Sequence, residues 1–571
     1  MKHSFKEKML NLLSPSLGRG RRAAKLFSKF LLLVCIAFYA GTVFGQRNEY
    51  NLIPLPQSLK PAAGQFSFNA NTSLFVDKNV DVRVTNTFFI LKEQLKTAAG
   101  IKLAINNLQS SNAIVFKMNK HLPKKESYKL TIDKNSITVE ARESVGFFYA
   151  SQTLRQLLPA EIESNSLQTN IQWSVPCCKI DDTPRYAYRG LLLDVARHFS
   201  SKEEVMRYID QMAFLKLNTF HWHLTDDQGW RIEIKKYPKL TQTGGFRNRT
   251  LIGNYTTTNR RWNDSIVGGF YTQDEIKEVI AYAQRRFINV MPEIELPGHA
   301  VAALAAYPQY SCSGGPFEVE GLWGVFNDVY CTREETMQFL ENVLAEVAGL
   351  FPYSYIHIGG DECPKLRWSR CNACQERMHT EGLKDEHELQ AYVVARIAKY
   401  LQGKGKRIIG WDEILEGGLL KKGNDAIIMS WRGEKGGIAA ARLNHDVIMT
   451  PNSHLYLDHF QSKEPGEPIA IGGFLPLQTV YGYNPTPDSL KQAEAKHILG
   501  VQGNVWTEYM NNPKHREYMI FPRVLALSEI AWLPQSRKNY ADFTQRLTSL
   551  LKHYDVMDIR YSKAYIKQQS K

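Results

Sequence analysis

Two hydrophobic periods divide the chain. Up to about residue 182, apolar positions alternate in short runs such as Tyr128-Lys-Leu-Thr-Ile-Asp133 and Ser136-Ile-Thr-Val-Glu140, the period of half-exposed strands. Residues 88–99 and 147–158 carry helical spacing instead, so residues 46–183 are expected to form a small α+β accessory domain. Asp182-Thr-Pro-Arg185 marks the boundary. Beyond it, strand-like apolar runs alternate with amphipathic helical stretches. Eight runs can be counted: 190–194, 219–224, 288–295, 355–359, 407–410, 426–430, 447–450 and 498–502. Ser201-x-x-Glu204, Thr272-x-x-Glu275 and Thr332-x-x-Glu335 fit the capping box that starts a helix. Eightfold strand–helix alternation predicts an α/β fold, a closed (β/α)8 TIM barrel over residues 184–535. An open doubly wound sheet is the alternative, but no glycine-rich dinucleotide loop follows the first strand. Residues 536–571 read as a helical tail packed outside the barrel.

Charge changes the picture only at the N-terminus. Of the formal +14, the first 45 residues contribute +7 through eight Lys/Arg against Glu7, which leaves +7 for the rest. The remaining basic residues are dispersed among acids, so no nucleic-acid partner is expected. A basic leader followed by the apolar segment 30–44 has the layout of a secretory signal peptide. The segment is short for a membrane span, which takes about 20 residues, so export is expected and a signal anchor is the alternative. Seven cysteines follow. Pairs such as Cys312 with Cys331 are candidates for loop disulfides in an exported chain. Cys371-Asn-Ala-Cys374 with Cys363 suggests zinc, but a fourth ligand at sensible spacing is missing from the sequence, so no metal and no cofactor are expected.

In a barrel of this kind, reactive side chains gather at the C-terminal ends of the strands. Those ends read, in turn, Asp194-Val-Ala-Arg197-His198; Asp226-Asp227-Gln228-Gly229-Trp230; Glu293-Ile-Glu295-Leu-Pro-Gly-His299; Asp361-Glu362; Trp411-Asp412-Glu413; Trp431; Tyr456-Leu-Asp458; and Trp506-Thr-Glu508. Acids and tryptophans dominate, with no Ser-His or Cys-His arrangement. Sugar rings stack their apolar faces on indoles and bond their hydroxyls to carboxylates and arginine, so this is a carbohydrate pocket. His221-Trp-His223 puts two imidazoles on one strand face, as in barrel metallohydrolases. Such a site needs further His or Asp ligands from other strand ends, but the fifth and sixth offer tryptophan instead and His299 alone would have to serve. The most informative hexapeptide is His357-Ile-Gly-Gly-Asp361-Glu362, two adjacent acids delivered from a strand terminus through a glycine turn, suited to proton transfer at an acid-labile bond.

Taken together, Leu191-Leu-Leu-Asp-Val-Ala-Arg-His-Phe199, the segment His221 to Trp230, Pro297-Gly-His299, His357 to Glu362 and Trp506-Thr-Glu508 resemble family-20 glycoside hydrolases, the β-N-acetylhexosaminidases. The resemblance implies hydrolysis of terminal β-linked N-acetylglucosamine or N-acetylgalactosamine from an oligosaccharide or glycoconjugate, with the 2-acetamido oxygen of the sugar as nucleophile. It makes Glu362 the general acid and then base, and Asp361 the group that orients the acetamide. It places Arg197, Asp458 and Glu508 on sugar hydroxyls and Tyr456 on the acetamide oxygen. Trp411, Trp431 and Trp506 become the pocket walls, and Asp226 with His299 a network holding Glu362. Glu295 departs from the family, which more often has Asp there. A disaccharide-releasing relative and a non-catalytic sugar-binding barrel are the other readings. Oligomeric state and the natural glycan are left open.

Overall fold

The computed structural model describes residues 50–569 apart from 79, 107, 109, 110 and 423. The signal-peptide segment and Cys35 lie outside the described residues. Among those that are described, no helix is long and apolar enough to cross a membrane.

The first domain is built on a seven-stranded mixed sheet. Its strands are β1 (Ser58–Ser67), β2 (Ser73–Val76), β3 (Ala104–Asn106), β4 (Ala113–Met118), β5 (Tyr128–Ile132), β6 (Ser136–Ala141) and β7 (Ser174–Asp182), in spatial order β1-β7-β5-β6-β4-β2-β3. The alternation in β5 and β6 has the consequence expected of it: Tyr128, Leu130, Ile132, Ile137, Val139 and Ala141 are all buried. The helix Ser144–Leu157 is buried almost throughout, including Gln152, Arg155 and Gln156. It lies between the sheet and the barrel, with Phe148 5.4 Å from Phe287 and the Gln156 amide donating to the Phe214 carbonyl at 3.0 Å. A helix buried on all sides keeps its polar residues only by hydrogen-bonding them.

All eight counted runs become the strands of a closed parallel barrel: Tyr188–Asp194, Thr219–His223, Asn289–Glu293, Tyr355–His357, Arg407–Trp411, Ile427–Ser430, Val447–Met449 and Ile498–Val505. The eighth pairs back onto the first, Gly500 opposite Tyr188 through Val505 opposite Leu193. The ends shift by a few residues. The third strand stops at Glu293, after which the chain turns to carry Glu295 and His299 over the mouth. The boxes at Ser201 and Thr272 form as expected. Thr332 does not cap: the helix Glu334–Leu350 starts one residue later, with Arg333 at its N-cap and no side-chain cap.

The tail helix Tyr540–Val556 fills the seam between the two domains rather than only covering the barrel. Arg546 forms an ion pair with Glu529 at 2.7 Å and donates to the Leu52 carbonyl, while His553 meets Glu163 of the first domain at 3.2 Å.

The cysteines differ from expectation. Cys312 and Cys331 are thiols, and they stand beside Cys371 and Cys374, all four sulfurs within 4.8 Å of one another. Two of the four sulfurs thus come from a distant loop, which the local spacing around Cys371 and Cys374 does not show. Cys363, considered with that pair in the sequence, is not one of the four.

Candidate active site

The site is set up by a buried polar layer inside the barrel. Glu293, wholly buried at the end of the third strand, accepts from the Trp411 indole at 2.8 Å, lies 2.7 Å from His357 Nδ1 and 3.0 Å from His221 Nε2, and also contacts His223. Burial alone would raise the Glu293 carboxyl, but His357, His223 and His221 hold it well below the carboxylate range. The His221-Trp-His223 pattern is therefore accounted for by this one carboxylate. His223 carries the network upward through Asp226, 3.0 Å from its Nε2.

Above that layer the strand ends converge. Arg197 reaches Asp226 at 2.8 Å, Asp194 at 3.3 Å and Glu508 at 3.7 Å, with its guanidinium 5.3 Å from the Trp506 ring centre. His299 Nδ1 meets Asp227 at 2.9 Å and Asp226 at 3.3 Å. Its Nε2 faces Glu362 at 3.5 Å and Asp361 at 3.8 Å. Both His299 and Glu362 adopt φ of +45°, a left-handed backbone that non-glycine residues adopt at a cost and that clusters at functional sites. Gly359, with φ of +67°, makes the preceding turn; a Cβ there would overlap the Glu295 carboxylate, so glycine makes room for the longer acid at position 295.

One cavity is lined by Arg197, His299, Asp361, Glu362, Trp431, Tyr456, Asp458, Trp506 and Glu508, nine of the eleven residues expected. Trp431 stacks on Tyr456 with ring centres 6.0 Å apart, and Trp506 lies 6.2 Å from Tyr456, giving an aromatic wall. The other two are set back. Asp226 is buried and acts through Arg197 and His299. Trp411 is not part of the cavity lining: it is buried with its ring 5.9 Å from that of Trp506, held by Glu293. Asp227 was not singled out in the sequence, although it is the nearer partner of His299. The doubled Asp226-Asp227 was the available signal. Tyr255, Val325 and Ile471 also line the cavity and come from loops whose sequence carries no recognisable chemistry.

The electrostatics separate the two adjacent acids. Burial pushes the Asp361 carboxyl up to about 7, with His299 opposing and Glu362, Glu293 and Asp226 adding to the rise. The His299 contact outweighs burial at Glu362 and lowers it. Burial would lower His299, but Asp226, Asp227 and Glu362 raise it well above the usual imidazole value. The two adjacent acids thus differ in proton affinity, Asp361 raised and Glu362 lowered, beside an imidazole held toward its charged form. Burial and the neighbouring Glu508 raise Asp458 well above the carboxylate range. One oxygen each of Asp361 and Asp458 is buried and accepts no hydrogen bond.

Paired acids beside an aromatic wall at the C-terminal mouth of a (β/α)8 barrel define a carbohydrate-active protein. Residues 186–535 match the model for the glycosyl hydrolase family 20 catalytic domain, and residues 49–183 match that for domain 2 of the same family. The chain belongs to glycosyl hydrolase family 20. It is 46% identical over 516 residues to a beta-hexosaminidase of Porphyromonas gingivalis, covering 90% of this chain and 64% of that protein. A beta-hexosaminidase of Vibrio furnissii is 38% identical over 484 residues, 84% of this chain and 76% of the relative. The GH20 exo beta-N-acetylglucosaminidase of Vibrio harveyi, solved in complex with N-acetylglucosamine, superposes with a TM-score of 0.80 at 35% identity, covering 90% of this chain and 79% of that one.

Proposed function

We propose that this protein is an exported, exo-acting β-N-acetylhexosaminidase that hydrolyses terminal β-linked N-acetylglucosamine or N-acetylgalactosamine with retention, using the substrate's acetamide as nucleophile. The observation that carries the reading is the Asp361–Glu362 pair, side by side at one cavity with His299 beneath both and an Asp361 oxygen unpartnered. Two side chains on consecutive residues are poorly placed to flank one glycosidic bond as separate nucleophile and acid. They are well placed to serve a nucleophile that arrives with the sugar.

In this reaction the acetamide oxygen attacks the anomeric carbon while the glycosidic C–O bond breaks, and Glu362 gives its proton to the departing oxygen. Asp361 accepts the acetamide N–H and balances the positive charge that develops on the ring nitrogen of the oxazolinium. Water then attacks the anomeric carbon, Glu362 takes its proton, and the acetamide is restored. In the free site burial favours a proton on Asp361, while the His299 contact disfavours one on Glu362. A developing cation beside Asp361, and sugar covering Glu362, reverse that preference. Arg197, Asp458 and Glu508 fit the outer hydroxyls, and Trp431, Tyr456 and Trp506 fit the ring and acetyl faces. Export rests on the basic and apolar pattern of the first 45 residues.

The test is to incubate the full chain with defined oligosaccharides ending in β-linked amino sugars and follow the products by NMR. Monosaccharide released first as the β-anomer is expected. Disaccharide release, inversion, or binding without turnover would each contradict it. Fractionation of cells expressing the full chain should place the activity outside the cytoplasm.

A further inference from the structure

The four-sulfur group has no part in the chemistry above, and its geometry calls for an occupant. Cys312 lies 3.7 Å from Cys374, Cys331 3.7 Å from Cys374, and Cys331 3.8 Å from Cys371, sulfur to sulfur. A tetrahedral zinc ion with bonds of about 2.3 Å sets its sulfur ligands about 3.8 Å apart. Sulfurs already joined as disulfides would lie at about 2.05 Å, in pairs rather than as a four-membered group. We propose that Cys312, Cys331, Cys371 and Cys374 bind one structural Zn²⁺ as four thiolates, releasing their protons on binding.

Local structure favours this occupant. Cys371 and Cys374 form a Cys-x-x-Cys turn at the start of the helix Asn372–Glu381, with Cys371 at the N-cap, where the helix end favours negative charge. Cys331 is positioned by its backbone N–H donating to the Tyr310 carbonyl at 2.9 Å, beside the bridge that pairs Ser311 with Tyr330. Cys331 and Cys374 are buried among Val329, Trp368, Met378 and Leu389, an apolar shell that shields thiolates from exchange and oxidation. No residue placed in the active site is among the four ligands.

The placement gives the ion a purpose. Cys312 and Cys331 belong to the long connection after the third strand, downstream of His299. Cys371 and Cys374 lie in the connection after the fourth, nine and twelve residues beyond Glu362. The Trp368 indole donates to the Tyr330 carbonyl at 2.8 Å, and the Tyr330 N–H donates to the Pro297 carbonyl at 3.0 Å. The two connections also abut at Gly298, where a Cβ would stand 3.2 Å from Cys363 Cα. Zinc would fasten together the two loops that present His299 and the Asp361–Glu362 pair, a positioning role outside the reaction.

The deciding measurement is the metal content of the full chain, folded with Zn²⁺ present and freed of excess metal without chelator. One zinc per chain is expected, released in full by an organomercurial that blocks thiols, with X-ray absorption showing four sulfur neighbours at about 2.3 Å. Cys371→Ser and Cys374→Ser should each reduce the zinc to below about a tenth per chain, while Cys177→Ser leaves it unchanged. The reagent release is read on the unmodified protein, so it decides the question even where a variant fails to fold. Peptide mapping that finds these cysteines in two disulfides would overturn the proposal. So would four reactive thiols with no bound metal, or zinc retained in both serine variants.

Discussion

At the N-terminal ends of the barrel strands, Lys216 lies 3.3 Å from Asp182, which also accepts from Tyr128 at 2.7 Å and from the Trp532 indole at 2.8 Å. Beside it Arg189 pairs with Glu126 at 2.6 Å and donates to Tyr149 and to the carbonyls of Tyr186 and Lys216. At the C-terminal ends, Asp361 and Asp458 each keep a buried oxygen without a partner, neither Glu295 oxygen has a hydrogen bond, and the carboxyls of Asp361, Glu295 and Asp458 are all pushed upward by burial. Both regions bury charge. The lower one completes every bond within the protein and ties the first domain to the barrel. The upper one leaves acceptors of Asp361 and Asp458 open at the cavity, where hydroxyls and an N–H of a sugar can fill them. Burial of charge alone therefore does not mark a site; incomplete partnering beside a cavity does.

Substitutions can break this contrast on either side. Glu362→Gln should lower kcat/KM on an aryl N-acetyl-β-glucosaminide by about 10²–10⁴-fold while the melting temperature stays put. Asp361→Asn should cost about 10²–10³-fold, since it removes the charge that meets the oxazolinium. The pH profile sharpens the same point. The working state carries one proton on the Asp361–Glu362 pair, so kcat/KM should fall as pH rises through about 7, where that proton leaves Asp361. It should fall again on the acid side, below the depressed value of Glu362, when a second proton binds. Asp227→Asn weakens the charge on His299, so the basic limb should move to higher pH and kcat/KM should drop about ten- to a hundredfold through loss of positioning.

At the lower end the readouts exchange places. Lys216→Met leaves Asp182 buried without its cation and should cost about 3–5 kcal/mol of stability with kcat/KM unchanged in the folded fraction. The smallest effect concerns Glu163. Burial would raise its carboxyl, but Arg155 and His553 pull it down to about 2. Its folded value lies below its ordinary one, so its contribution is present above about pH 4.5 and is lost as pH falls toward 2. Melting curves of Glu163→Gln should converge on those of the parent protein across that window.

The barrel was legible because each strand is a short apolar run bounded by helix-start signals, and all eight runs became strands. Asp361, Glu362, Arg197 and Glu508 were legible because they sit at strand ends, where the fold itself gathers side chains. The four-cysteine group was not, since Cys312 and Cys371 are 59 positions apart and meet only when two barrel loops pack. Thr332 fits a cap because the pattern Thr-x-x-Glu is local, but its hydroxyl is buried without a hydrogen-bond partner and the helix begins at Glu334. Trp411 shares the strand-end address of the other tryptophans, but Glu293 draws its indole inward, a contact that spacing along the chain cannot reveal.

The most direct test of the central claim compares two aryl β-glycosides that differ only in the 2-substituent, acetamido against hydroxyl. If the sugar brings the nucleophile, the hydroxyl substrate should turn over at least about 10³-fold more slowly, and no glycosyl adduct on the protein should be detectable by intact mass during turnover. Comparable rates for the two, or a trapped bond between a side chain and the cleaved sugar, would contradict the account.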